Sequence, residues 1–275
     1  MTDLAADIEE LYERRGELSP SATGAAATVE EAIALLDSGQ ARVAEIDSVT
    51  DEVVVHEWLK KAILLFFAVR GMEAIEHGPF EYADKLPLKR DFMAAGVRVV
   101  PGASARWGSF LSRGVVLMPS YVNIGAWVGE NTMVDTWATV ASCAQIGARV
   151  HLSGGVGIGG VLEPPNAVPV VVEDDAFVGS RCMITDGARV GRGSVIGSGT
   201  ILNPSIPVID AETGDEISRG VVPPWSVAVQ ASRRREYPGG EFFLPCVLVI
   251  KRLTEGERHD KAQLNDVLRT HGVSA

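Results

Sequence analysis

The chain has 275 residues, 46% of them apolar, enough for one large domain or two modest ones around a packed core. Its formal charge of -11 argues against broad electrostatic attachment to nucleic acid or anionic lipid, which needs clustered Lys and Arg. With 29 glycines and only 6% aromatics, the composition favours tight turns and repetitive β structure over bulky packing.

Residues 1–95 carry helical signals and are expected to form a small, mostly helical N-terminal domain. Leu4, Ile8 and Leu11 share one helical face, and Thr28-Val29-Glu30-Glu31 reads as the opening of a second helix that Gly39 stops. His56 to Val69 suits a third, with Gly71 close behind it. The apolar run Ala62 to Val69 is too short to span a bilayer, and Met1 to Asp7 has neither a basic start nor an apolar core, so a cytoplasmic protein is expected. Cys143, Cys182 and Cys246 lack metal-ligand or redox spacing and read as small buried apolar residues.

From residue 116 the pattern becomes a strict period of six. Val116, Val122, Val128, Val134, Val140, Ile146, Leu152 and Ile158 hold one phase; Val172, Val178, Ile184, Val190, Ile196 and Leu202 resume it after a break. Small residues stand four places after most of these, and Gly, Asn or Asp directly after many, with Leu117 and Glu173 as exceptions. A triangular coil of three hexads satisfies this pattern, with the aliphatic side chains stacked inside. Fourteen hexads give between four and five coils, a prism of roughly 20 to 25 Å at strand spacing. The whole β-helix is expected over residues 96–230, with a loop at 160–171, rich in proline, and a hairpin at 206–217. A C-terminal extension, 231–275, is expected to add a strand from Phe242 to Ile250 and a helix around Lys261 to Leu268.

Gly155-Val156-Gly157-Ile158-Gly159-Gly160 has the wrong spacing for a dinucleotide loop and lies within the hexad register. A zinc carbonic anhydrase on this scaffold would need three histidines, and only His151 lies in the repeats, so no metal is expected.

The stretches Arg98-Val99-Val100-Pro101, Val116 to Gly125, Met133-Val134-Asp135-Thr136-Trp137-Ala138-Thr139-Val140 and Val150 to Pro164 closely resemble the tetrahydrodipicolinate N-succinyltransferase family. Similarity extends to Leu35 to Gly39 and Trp58 to Ala62 in the helical part. The resemblance implies a mainly β fold built on a left-handed parallel β-helix, a homotrimer with clefts between prisms, and no tightly bound cofactor. It further implies a coenzyme A thioester as co-substrate, succinyl-CoA foremost, a dicarboxylate amine acceptor, and a place in lysine and diaminopimelate biosynthesis.

An amine attacking a thioester needs a base to free its lone pair and donors for the oxyanion. By its match to the family motif, Asp135 is the candidate catalytic base. Arg98 is the candidate for gripping an acceptor carboxylate, with Met118 and Asn123 beside it. Gly159, Gly160 and Gly197 are candidates for close approach of coenzyme A, and Lys251 and Arg252 for its phosphates. Where the family commonly has Gly-Ala-Arg-Ser-Glu, this chain reads Gly179-Ser180-Arg181-Cys182-Met183, which removes a second carboxylate. That departure keeps two alternatives open: a relative using acetyl-CoA or another amine, and a non-catalytic binding scaffold.

Overall fold

A computed structural model describes residues 2–255; the helix expected around Lys261 to Leu268 lies outside them. Helix α1 (Thr2–Glu13) buries Leu4, Ile8 and Leu11, the face its spacing predicts. Helix α2 (Thr23–Ser38) begins five residues before the expected start. Its first turns run through Ala25, Ala26 and Ala27, the best helix formers. Thr28 is no cap: its hydroxyl donates to the Gly24 carbonyl one turn back, at 3.4 Å. Gly39 ends the helix at φ 74, with the Gln40 N–H closing onto the Leu35 carbonyl. Helix α3 (Glu57–Val69) ends at Arg70 in extended backbone, so Gly71 is not its left-handed stop. Two small antiparallel pairs, β1 (Ala44–Ile46) with β2 (Val53–Val55) and β3 (Glu73–His77) with β4 (Phe80–Asp84), complete this region.

The prism that follows has three parallel faces, each a ladder of two-residue strands. The first face climbs through Arg98–Val99, Val116–Leu117, Met133–Val134, His151–Leu152, Phe177–Val178 and Val195–Ile196. The second runs from Ser104–Ala105 through Tyr121–Val122, Thr139–Val140, Gly157–Ile158 and Met183–Ile184 to Ile201–Leu202. The third runs from Phe110–Leu111 through Trp127–Val128, Gln145–Ile146, Val171–Val172 and Arg189–Val190 to Val221–Val222. The second and third faces have six strands each, so the prism holds six coils rather than the four to five expected.

The extra coil lies below residue 116, where Val99, Ala105 and Leu111 point inward. Val116 is also misassigned by the period: it is half-buried and faces out, while Leu117 is fully buried. The next inward residue, Val122, comes five positions later, so one coil edge is a residue short. This explains Leu117 as an exception at the turn position. Above it every sixth residue from Val128 to Ile158 and from Val172 to Leu202 lies inside one continuous core, with Ala126, Ala138, Ala144 and Ala188 in the cramped corners.

The break is a strandless loop over 159–170 between the second and third faces, so the expected 160–171 runs one residue into the strand Val171–Val172. Lys60 on α3, with no exposed surface, donates to the carbonyls of Pro164 (3.2 Å) and Ala167 (2.8 Å), and burial pulls its ammonium below the usual lysine range. Ile124 and Cys143, from that same prism corner, share a core with α1, α2 and α3. The expected hairpin is present as Pro207–Asp210 paired with Glu216–Arg219. Ser226 starts a strand that extends the first face to Tyr237 and folds back as Gly240–Arg252, overrunning the expected Phe242 to Ile250 at both ends.

Candidate active site

Asp135 lies where the chain leaves the first face for the second. Its N–H bonds to the Leu152 carbonyl one coil up (2.9 Å), fixing the backbone. Its Oδ1 accepts from the Thr136 N–H (2.7 Å) and hydroxyl (3.3 Å). Oδ2 stands 3.9 Å from His151 Nε2, and both side chains are about 30% exposed, at 31% and 29%. The imidazole in turn stacks on Phe177, with centroids 5.1 Å apart and planes 9° from parallel. One carboxylate oxygen is thus held by its own turn, while the other faces a half-open surface where it can take a proton.

The expected substrate residues divide between two corners. Met118 leaves the first face one coil below Asp135, and Arg98 stands exposed on the same face two coils below Met133, roughly 10 Å along the axis. Asn123 lies instead at the corner between the second and third faces. Its Oδ1 accepts from the Ile124 N–H (2.9 Å) and from Arg106 of the coil below (3.3 Å), so that oxygen is committed to its own corner.

The expected cofactor residues divide likewise. Gly197 sits at the upper end of the first face, beside the strand whose Ser226 and Val227 pair with Arg252 and Lys251. Arg252 is engaged there by the Ser226 hydroxyl (2.8 Å) and Asp210 (3.2 Å). Gly159 and Gly160 lie across the second face from Asp135. A Cβ on Gly159 would meet Thr185 at 3.0 Å and one on Gly160 the Ser142 nitrogen at 2.9 Å, so coil stacking leaves little room at Gly159 and none at Gly160.

One feature escaped the sequence reading as part of the site, and one departure it flagged takes its place in the fold. Trp137, two residues after Asp135, is 76% exposed and holds φ 62, a left-handed backbone that Gly155 and Gly199 adopt at the same corner of later coils. Its indole therefore projects from the prism beside the carboxylate; the clue was a tryptophan at a glycine-compatible corner position. Met183, standing where the family commonly has Glu, faces out from the second face at 44% exposure. A Cβ on Gly157 would lie 2.5 Å from its sulfur, so the thioether lies across Gly157, the coil below. The carboxylates of Asp186 and Glu163, which could stand in for the missing one, are both exposed at or beyond the far edge of that face, away from Asp135. Among the described residues no group of three or more His, Cys, Asp or Glu could hold a metal ion.

The six-coil prism, with a half-exposed carboxylate at its corner, defines a hexapeptide-repeat protein. The family described as tetrahydrodipicolinate N-succinyltransferase N-terminal matches residues 3–69, and the hexapeptide repeat of succinyl-transferase matches 169–204. A 2,3,4,5-tetrahydropyridine-2,6-dicarboxylate N-succinyltransferase of Dechloromonas aromatica is 45% identical over 97% of this chain and 98% of its own length. One from Acinetobacter baylyi is 47% identical over 98% and 99%. The chain belongs to the tetrahydrodipicolinate N-succinyltransferase family. A solved Campylobacter jejuni structure described as a 2,3,4,5-tetrahydropyridine-2-carboxylate N-succinyltransferase shares the fold, with a TM-score of 0.51 and 19% identity over 81% of this chain and 62% of that one.

Proposed function

We propose that this protein transfers the succinyl group of succinyl-CoA to the amino group of ring-opened tetrahydrodipicolinate, on the lysine and diaminopimelate route. The observation that carries this is identity of 45% or more along nearly the whole chain to enzymes so named. Asp135 takes a proton from the acceptor ammonium through Oδ2, the oxygen its own turn leaves open. The freed nitrogen attacks the thioester carbonyl; the carbonyl electrons move to oxygen and return as the C–S bond breaks, and the departing thiolate takes up the second proton that the attacking nitrogen sheds, to give coenzyme A and an amide. Arg98, exposed on the same face, takes one acceptor carboxylate.

The coils wind left-handed, as in the family. Residues 1–95, 96–230 and 231–275 act as helical, prism and C-terminal units. The protein works in the cytoplasm as a homotrimer. Support for the trimer is the separation of the site residues onto two prism corners, which neighbouring subunits would bring together. None of the described helices is long and apolar enough to cross a membrane. A thiol-release assay with succinyl-CoA and tetrahydrodipicolinate tests the activity. Turnover with this pair is expected; silence there with turnover of another amine overturns the reading. Light scattering should give about three times the chain mass of 29.2 kDa, and an active monomer would refute the assembly.

A further inference from the structure

A groove of about 340 Å³ opens on the other side of the prism, between β1 and the third face. Its polar lining is Arg42, Glu45, Gln145, Glu173, Asp174 and Arg192. Asp135 stands at the corner between the first and second faces, so the groove is separate from the acyl-transfer site.

Arg42 is set in place from two sides. Its guanidinium lies over the Trp127 ring, 4.5 Å from the centroid, and that ring packs on Phe110. Its Nε donates at 2.7 Å to Oε1 of Gln145, a residue only 1% exposed. Gln145 is itself oriented, because its amide nitrogen donates to the Cys143 carbonyl at 2.8 Å. These contacts use the flat face and the Nε of Arg42, and neither terminal nitrogen has a hydrogen bond among the described residues. Burial pulls the guanidinium below its usual pKa, a sign that its charge is poorly solvated where it stands.

Carboxylates face this fork. Glu45 gives Oε1 to His56 at 2.8 Å and keeps Oε2. Asp174 accepts from the Ala148 N–H with Oδ1 (2.9 Å) and holds Oδ2 at 3.5 and 4.0 Å from Arg149 and Arg192, too far for hydrogen bonds. Glu173 is committed to Arg189 at 2.6 Å. With Glu173 neutralised by Arg189, the groove offers Glu45 Oε2 and Asp174 Oδ2 opposite the Arg42 fork. The complementary ligand carries one carboxylate for the Arg42 fork and two ammonium groups for the acidic side.

We propose that this groove is a second ligand site, for a free diamino monocarboxylic acid whose carboxylate docks on Arg42 and whose ammonium groups meet Glu45 and Asp174. This does not rest on the acyl-transfer reading, and its test needs no turnover. The full-length protein is titrated calorimetrically with L-lysine, with glutarate, which lacks the ammonium groups, and with 1,5-diaminopentane, which lacks the carboxylate.

L-Lysine should bind once per chain, and each of the other two about tenfold or more weakly, the usual scale for losing a charge-assisted contact. Arg42→Met, which keeps a stem to lie on Trp127, should weaken L-lysine about tenfold or more. Glu45→Gln, an exposed change that leaves an acceptor for His56, should weaken it several-fold and carries the test if Arg42→Met does not fold. Saturating coenzyme A and the Asp135→Asn variant should leave L-lysine binding unchanged. The proposal is overturned by no heat at millimolar L-lysine, by diaminopentane binding equally well, by indifference to both Arg42→Met and Glu45→Gln, or by competition with coenzyme A.

Discussion

Replacing Asp135 by asparagine should separate its two jobs. Oδ1 accepts from the Thr136 N–H at 2.7 Å and from its hydroxyl at 3.3 Å, and an asparagine oxygen accepts both bonds equally well. The substituted nitrogen falls at the Oδ2 position, 3.9 Å from His151 and half-exposed, where water can satisfy it. The corner, the coil and the coenzyme A surface should therefore survive, with the melting temperature within a degree or two of wild type. What disappears is the only atom of this side chain free to take the acceptor proton. Losing a general base lowers turnover by about 10²-fold or more, equivalent to ~2.7 kcal/mol at the transition state. The assay is steady-state thiol release at saturating donor and acceptor, with coenzyme A affinity measured separately by calorimetry. A hundredfold loss in kcat at constant coenzyme A affinity is the expected pattern. Near-normal turnover would show that Asp135 is only a turn residue. Loss of coenzyme A binding or of the fold would show that its backbone role cannot be separated from its chemistry.

At Met183, restoring the carboxylate with Met183→Glu should change kcat by about tenfold at most, because the thioether lies across Gly157 on the outer surface of the second face; donor preference is read by comparing succinyl-CoA with acetyl-CoA, and a large wild-type preference for acetyl-CoA would overturn the donor assignment. Burial pushes the Cys143 and Cys182 thiols up to about 12 and about 11 from an unfolded value of 9.0, so the stability each provides is complete below pH 9 and is lost as pH rises toward those values; denaturation midpoints should fall above pH 9, less steeply in a Cys143→Ala, Cys182→Ala double variant. Lys60 acts with the opposite sign: its lowered pKa means the cost of its buried charge is relieved as pH rises toward 10.5, and Lys60→Met should remove that opposing slope. Gly129→Ala should cost at least ~2 kcal/mol, since its Cβ would stand 2.5 Å from the Gly147 carbonyl, whereas Gly199→Ala has open space and should cost only the ~1 kcal/mol of its left-handed backbone; equal melting shifts would refute the steric distinction.

The prism was legible because every coil repeats one physical demand, an aliphatic side chain inward at each strand. Reading stopped one coil short for two reasons visible in the structure. The lowest coil fills its interior with Val99, Ala105 and Leu111, and an alanine does not register in a search for large aliphatics. The short edge between Leu117 and Val122 then shifts the phase by one, so extrapolating downward from Val122 lands on Val116 and on the wrong side of the strand. At α2 the start was less legible than the stop. Gly39 has one way to end α2, whereas a threonine followed by acidic residues reads as a cap even when, like Thr28, it lies a turn inside the helix.

The site was legible only in part because its signals are of two kinds that look alike in sequence. Turn chemistry places Asn, Asp and Gly at coil corners whatever the function, and Asn123 Oδ1, Gly159 and Gly160 each also serve the hydrogen bonds and close contacts of their own corners. Asp135 shares that turn role through Oδ1, yet its second oxygen has no turn to serve, and that surplus distinguishes it. Arg42 shows the same surplus across the prism, with a fork left over after stacking and anchoring are satisfied. Neither surplus can be read from residue identity, since it depends on how many of a side chain's polar atoms the fold itself consumes. Lys60, by contrast, looks functional as a buried cation, but two loop carbonyls occupy it, and its work is to hold the 159–170 loop against α3. Counting uncommitted polar atoms therefore separates Asp135 and Arg42 from Lys60, a division that residue type and spacing alone do not draw.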